Sequence, residues 1–408
     1  MPTLATLLLK SIARVRTRYL AAALALIPFA LALALAIVTA VTARAQTSPP
    51  LTAEEKSSAA GDSQPETTPI ATDLSPELKR GEVLRAIRKV ADWQLDRAQP
   101  KFSQDWTYAA LYAGFMAVPQ AAEGDKYQKA MQAMGESFNW QLGPRPTHAD
   151  DVAIGQTYLE LYLKSHDPRM LAATKHRMDD LMKLPDPTDK PLWWWCDALF
   201  MAPPVLARLY SATGGDLHYL EFMDHEWWIT SNLLYDPQQH LFSRDATYLD
   251  KREANGSKLF WARGNGWVMA GLVRVLQFMP ENYPSRAKYM QQFKELAAAV
   301  APLQGKDGLW RPGLLDQSAY PLPENSASGF FTYAFAWGVN EGILDRATYQ
   351  PVVEKGWAGL LTHIYADGRL GSIQPVGGSP GPFTETSSYV YGVGAFLLAG
   401  SEVYRLAH

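Results

Sequence analysis

Residues Ser328 to His363 read SGFFTYAFAWGVNEGILDRATYQPVVEKGWAGLLTH. The stretch from 328 to 344 is built of Gly, Ala and aromatics and is nearly free of charge. The stretch from 347 to 363 spaces its apolar residues three and four apart and carries Glu354 and Lys355 between them. A helix that is apolar on every side has to be buried, whereas one with a single apolar stripe lies half in water. The two segments therefore predict a hairpin of one buried and one half-exposed helix.

The same pairing recurs along the chain. Charged amphipathic helices are expected near 79–97, 125–139, 167–184, 217–234, 284–301 and 347–363. Buried ones are expected near 105–118, 151–164, 197–212, 265–279, 328–344 and 387–404, and alternating strand patterns are almost absent. The class is all-α. Six half-exposed helices alternating with six buried ones predict an (α/α)6 barrel of six helical hairpins, the buried set forming the inner wall. A linear solenoid also stacks hairpins, but its repeats keep near-constant length. Here the intervals between buried helices differ by about twenty residues. Long loops at 235–264, 302–327 and 364–386 each precede a buried helix and so gather at the inner helices' N-terminal ends. Several helix N-termini converging on one pocket favour an anionic ligand.

The chain opens with Lys10, Arg14, Arg16 and Arg18, an apolar run from Tyr19 to Val41, and Ala43-Arg44-Ala45. That pattern predicts an export signal over 1–45, directing the protein to the periplasm or the medium. The run is also long enough to serve as an uncleaved membrane anchor, the one membrane contact expected. Residues 46–75, rich in Pro, Ser, Thr, Ala and Glu, read as a flexible linker to a single domain at 76–408. Beyond residue 45 there are 33 Lys and Arg against 41 Asp and Glu, a net charge of −8 that argues against nucleic acid as a partner. Cys196 is the only cysteine, so no intramolecular disulfide can form and stability must come from the core.

Candidate chemistry clusters where buried helices begin. Asp197 follows Trp193-Trp194-Trp195-Cys196 and opens the third; it reads as an N-cap or as a catalytic acid whose pKa the indoles raise. Thr147-His148-Ala149-Asp150-Asp151 opens the second. One aspartate is expected to cap, and the other to reach the pocket as a second carboxylate. His148 shows no metal-ligand spacing, and neither metal nor cofactor is expected. Phe260-Trp261-Ala262-Arg263-Gly264-Asn265-Gly266-Trp267 opens the fourth, after a loop holding Arg244, Asp245 and Tyr248. Its glycines would let backbone approach a ligand, Arg263 would fork a carboxylate, and Trp261 and Trp267 would stack on sugar faces; the alternative is a structural Arg amid core aromatics. Glu324-Asn325-Ser326-Ala327-Ser328-Gly329 and Thr384-Glu385-Thr386-Ser387-Ser388 read first as capping sequences.

Trp195-Cys196-Asp197-Ala198-Leu199-Phe200-Met201-Ala202, Trp261-Ala262-Arg263-Gly264-Asn265-Gly266-Trp267, and Asp150-Asp151 with Gly155-Gln156 together resemble the unsaturated rhamnogalacturonyl hydrolases. These are of the glycoside hydrolase family 105 type, within the class of unsaturated glucuronyl and galacturonyl hydrolases. The resemblance runs from about residue 80 to the end. It implies an (α/α)6 barrel that removes the 4,5-unsaturated uronic acid left by polysaccharide lyases on a small acidic oligosaccharide. It implies Asp197 as catalytic acid and base, with a second carboxylate from the aspartate pair, Asp150 being favoured by its spacing to Gly155. Asp151, His148, Trp195, Asp245, Trp261, Arg263 and Trp267 are the expected substrate contacts. Some members have a histidine in the loop where this chain reads Phe242-Ser243-Arg244-Asp245-Ala246-Thr247-Tyr248, which leaves the second sugar open, rhamnose from pectin or an ulvan-type polymer being the first expectation. An inverting glycosidase on the same barrel and a non-catalytic sugar-binding protein are the competing readings. An epimerase lacks a histidine pair at inner-helix starts.

Overall fold

The computed structural model describes residues 68–119, 125–185, 187 and 191–408. The expected export segment at 1–45, and the expected linker as far as 67, lie outside the described residues. At the linker's end the Ala366 N–H donates to the Pro69 carbonyl at 2.8 Å, and the Ala71 N–H to the Ile364 carbonyl at 2.8 Å. The chain therefore joins the folded body before residue 76.

Fourteen helices follow among the described residues. In chain order they are α1 (Arg80–Ala98), α2 (Trp106–Ala117), α3 (Lys126–Ser137), α4 (Ala149–Val152), α5 (Gly155–Ser165), α6 (Arg169–Leu181) and α7 (Ala198–Met201). Then come α8 (Pro203–Ala212), α9 (Leu217–Leu234), α10 (Ala262–Leu276), α11 (Arg286–Val300), α12 (Asn325–Asn340), α13 (Arg346–Leu361) and α14 (Val390–Leu406). Two expected inner helices are each split near their start, into α4–α5 and α7–α8. The second break has a plain cause, since Pro203 and Pro204 bring no N–H to continue the ladder and suit only a new first turn. One short hairpin, β1 (Tyr235–Asp236) with β2 (Leu241–Phe242), opens the longest loop; its tight turn is made with His240 at φ 53°.

The inner wall closes. Helix α2 packs on α5, α5 on α8, α8 on α10, α10 on α12, α12 on α14, and α14 returns to α2. A solenoid would leave its first and last inner helices apart, so the fold is the (α/α)6 barrel. The abundance of small residues in the inner helices has its explanation here. A Cβ placed on Gly394 would lie 2.3 Å from the Ala110 carbonyl oxygen, and one on Gly114 would lie 2.8 Å from the Gly394 carbonyl oxygen. Backbones at that distance leave room for hydrogen only. Helix α10 meets α7 in the same manner, a Cβ on Gly271 falling 2.4 Å from the Leu199 oxygen.

Overpacking at the seam between α2 and α14 should therefore be costly. Gly394→Val is expected to lower the unfolding free energy by about 3 kcal/mol or more, read from urea midpoints. Gly81→Ala in α1, where an added Cβ meets nothing within 4 Å, should change it by less than about 1 kcal/mol. Equal effects of the two substitutions would contradict closure through this contact.

Candidate active site

Asp197 occupies the N-cap position of α7, yet its backbone is already helical (φ −62°, ψ −29°) and its side chain caps nothing. The capping reading thus fails, and the carboxylate is left for other work. Backbone pairing of Trp195 with Asp245, and a 2.9 Å bond from the Cys196 N–H to the Arg244 carbonyl, hold 195–197 against the loop at 244–245. There the Asp197 Oδ2 lies 3.6 Å from the Cys196 Sγ and 3.9 Å from the Arg244 Nε. Burial raises the Asp197 pKa, against the opposing pull of Arg244 and Arg263.

The aspartate pair divides its labour differently from expectation. The cap of α4 is His148, whose Nδ1 accepts from the Asp150 N–H at 3.3 Å, so neither aspartate serves as the cap. Burial, then the Arg145 charge, push His148 down to about 4, which keeps it neutral. Asp151 is buried and its Oδ1 accepts from Arg145 Nε (3.0 Å) and Nη2 (2.6 Å), while Oδ2 accepts the Arg145 backbone N–H. It ties down the 143–151 turn. Asp150 has no such clamp: Arg145 Nη2 stands 3.7 Å away and His148 Nδ1 3.5 Å. Burial drives its carboxyl up to about 8, with Asp105, Asp151 and Asp197 all adding to the rise. Asp150 and Asp197 therefore share one electrostatic environment, and both are biased toward the protonated form.

Three expected substrate contacts are engaged by packing and hydrogen bonds among the described residues. Arg263 is 1% exposed; its Nη1 and Nη2 donate to the Gln374 and Pro375 carbonyls at 2.7 and 2.8 Å, and its guanidinium lies over Trp261 and Tyr391. The fork expected for a substrate carboxylate is spent on the 374–375 loop. Trp261 is buried and donates to Gln374 Oε1 at 3.1 Å. Trp267 is fully buried, its ring 4.8 Å from Phe200 and 4.3 Å from Phe330. Neither indole offers a face to a sugar. Nor do the glycines of that run meet a ligand: a Cβ on Gly264 would sit 3.0 Å from Cys196 Sγ, and one on Gly266 would sit 3.1 Å from Phe330 Cβ. Asn265 completes the frame, accepting from the Phe242 N–H at 2.7 Å and donating to its carbonyl at 3.0 Å.

Trp195 is buried against the His148 ring at 4.8 Å. Asp245 is buried too, and burial alone would raise its pKa; bonds from Thr247 (2.6 and 2.8 Å) and Arg244 Nη1 (2.6 Å) outweigh that and hold it low. Glu324 caps α12 as expected, accepting from Ser326 and Ala327 N–H groups. The Thr384–Ser388 run does not cap; α14 starts later, behind Tyr389, without a side-chain cap. Sequence reasoning named Arg244 without giving it a role and did not reach Trp106, both part-exposed at this end of the barrel, or Asp105, the cap of α2. Arg244 stood in the loop as quoted; only its approach to Asp197 gives it meaning.

The Asp150 shift carries a stability signature. In the fold its carboxyl keeps a proton up to about pH 8, while the unfolded chain releases it near pH 4, so the folded state binds more protons between those values. The associated stability is full below about pH 4 and is lost as pH rises toward 8. Asp150→Asn should flatten the decline in urea midpoint between pH 5 and pH 8.5; an unchanged slope would place the group outside this environment.

Comparison with known proteins agrees with the geometry. Residues 82–407 match the Glycosyl Hydrolase Family 88 model. An "Unsaturated 3S-rhamnoglycuronyl hydrolase" from Formosa agariphila is 41% identical over 350 residues, 81% of this chain and 92% of that protein. A solved glycosyl hydrolase family 88 structure from Bacteroides vulgatus superposes with a TM-score of 0.76 at 31% identity, covering 80% of this chain and 99% of that one. Another solved structure, described as a polysaccharide lyase, gives 0.75 at 34% identity over 80% and 98%. The chain, a closed ring of hairpins with two protonation-prone aspartates at its N-terminal end, belongs to Glycosyl Hydrolase Family 88 and is a glycoside hydrolase.

Proposed function

We propose that this enzyme removes a 4,5-unsaturated uronic acid from the non-reducing end of a lyase-generated oligosaccharide whose next sugar is rhamnose. The observation that carries the reading is Asp197: a carboxyl with 13% of its side chain exposed, bound by no cap, raised in pKa by burial and sharing the electrostatic environment of a second carboxyl pushed up to about 8. The rhamnose assignment leans on the Formosa agariphila relative, whose description names a rhamnoglycuronyl hydrolase. Basic residues 10–18 and the apolar run 19–41 support export, so the enzyme would meet its oligosaccharide in the periplasm or outside the cell.

Protonated Asp197 donates its proton to C4 of the enol-ether double bond, and positive character develops at C5. Water adds to C5 and returns a proton to the Asp197 carboxylate, so the acid is regenerated. The resulting hemiketal opens and releases the second sugar, for a net consumption of one water. Because the bond is hydrated and the anomeric carbon is not attacked, the separation of the two carboxyls does not fix a stereochemical outcome. Asp150, protonated, donates a hydrogen bond to a sugar hydroxyl without adding a second negative charge beside an anionic substrate.

Ultraviolet absorbance of the conjugated double bond gives a direct test. Unsaturated uronyl-rhamnose should lose absorbance with the enzyme, and Asp197→Asn should slow that loss by about a thousandfold while circular dichroism stays helical. The rate should also fall on the alkaline side, since Asp197 must hold a proton to act. No loss with any unsaturated uronyl disaccharide overturns the proposal. A rise in absorbance from saturated polysaccharide would instead favour the lyase chemistry named for one structural neighbour.

A further inference from the structure

A second cluster of buried charge lies along the barrel away from Asp197. All six inner helices contribute to it, each from its second half: Met116 of α2, Glu160 of the split helix α4–α5, Arg208 of α8, Arg274 of α10, Tyr333 of α12 and Glu402 of α14. Among the described residues they line a cavity of about 600 Å³, a size that suits a small organic molecule. The reaction proposed above gives this cavity no task.

Its charges do not balance. The Glu160 Oε1 accepts from Arg208 Nε at 2.8 Å and from Arg274 Nη2 at 2.7 Å, with Arg208 Nη2 also 2.7 Å away. Arg208 Nη1 donates to the Pro204 and Arg274 carbonyls, and Arg274 Nε to Gln156 Oε1 at 2.6 Å. Gln156 is turned that way because its own Nε2 donates to the Phe200 carbonyl at 2.8 Å, which Pro204 has no N–H to satisfy. Glu402, the other carboxylate of the wall, is bonded to Arg405 and Asn340. Both Arg208 and Arg274 are buried, and a guanidinium does not give up its proton, so Glu160 alone leaves one positive charge over. Burial lowers the Arg208 pKa to about 10, and the Arg274 charge adds to the fall. Among the described residues the Arg274 Nη1 and the Tyr333 hydroxyl make no hydrogen bond.

We propose that this cavity binds the anion of a small carboxylic acid with an apolar body. The carboxylate supplies the missing negative charge and accepts from Arg274 and Tyr333. A buried cation without a counter-charge costs the fold free energy that such an anion restores. The body lies against Met116, Leu163, Phe278 and Leu398, and the Arg208 guanidinium already stands over the Phe278 ring at 4.3 Å. Lys164 and Arg405, exposed at the rim, favour the approach of an anion. A sugar acid carries the same carboxylate on a body of hydroxyls, and the experiment separates the two.

Calorimetry and thermal unfolding at fixed ionic strength, with hexanoate, hexanamide and glucuronate as probes, test the site without reference to turnover. Hexanoate at about ten times its Kd should raise the Tm by about 2 °C, and the neutral amide should leave it unchanged. Glucuronate should bind at least about tenfold more weakly than hexanoate. Leu163→Trp, which fills the cavity from a half-buried wall and removes no charge, should abolish hexanoate binding while circular dichroism stays helical. Tyr333→Phe, which removes one oxygen, should weaken it by about tenfold. Failure of the parent to bind hexanoate, or hexanamide binding as tightly, overturns the proposal. Hexanoate binding that survives Leu163→Trp overturns it too. If Leu163→Trp does not fold, Tyr333→Phe decides, an unchanged affinity counting against the site. Glucuronate binding as tightly as hexanoate would make this a sugar-acid site and overturn the assignment to an apolar acid.

Discussion

The contact between α2 and α14 at Gly114 and Gly394 is the constraint from which the rest follows. Six hairpins in sequence make a stack; the first inner helix lying against the last makes a ring. Closure at backbone distance is permitted only because neither position bears a side chain. Once the ring is closed, all inner helices run in one sense, and their N-termini are brought to one end. Asp105, His148, Asp197 and Glu324, distant in sequence, thereby share a neighbourhood.

Within that neighbourhood the electrostatics work against stability. Two carboxyls keep only 16% and 13% of their side chains exposed, and burial pushes one of them up to about 8. A group kept in its less comfortable form is a cost borne by the fold, and such groups concentrate where proton transfer is needed. The surrounding arginines limit the cost unequally. Arg145 neutralises Asp151 and leaves Asp150 without a close partner; Arg244 approaches Asp197 without bonding to it. Proton-holding and structural carboxylates are separated by these few ångströms alone, although Asp150 and Asp151 are adjacent in the chain.

Packing in the run from Phe260 to Trp267 ties a distinctive sequence into the frame around the site. Arg263 holds the 374–375 loop, Asn265 holds β2, Trp267 packs on Phe200 and Phe330, Gly264 makes room for the Cys196 sulfur and Gly266 for the helix that carries Phe330. The run shapes the site by supporting it from behind, and a side chain that supports is as narrowly specified as one that touches a ligand. Arg244, by contrast, sits in a loop without periodicity, where nothing local marks it.

Periodicity along the chain determined the all-α class, the twelve principal helices and their alternation of buried and half-exposed faces, because helix burial is written locally in every third and fourth residue. The double aspartate and the tryptophan-flanked Asp197 were legible as candidates because acidic side chains there interrupt apolar sequence where buried helices begin. Only the tertiary structure decided which carboxylate is free and which is clamped, that Asp197 caps nothing, that His148 does cap, and that Arg263 holds the 374–375 loop while Arg244 faces the acid. These are matters of distance between segments tens to more than a hundred residues apart, and pKa and hydrogen bonding depend on distance, not on order along the chain.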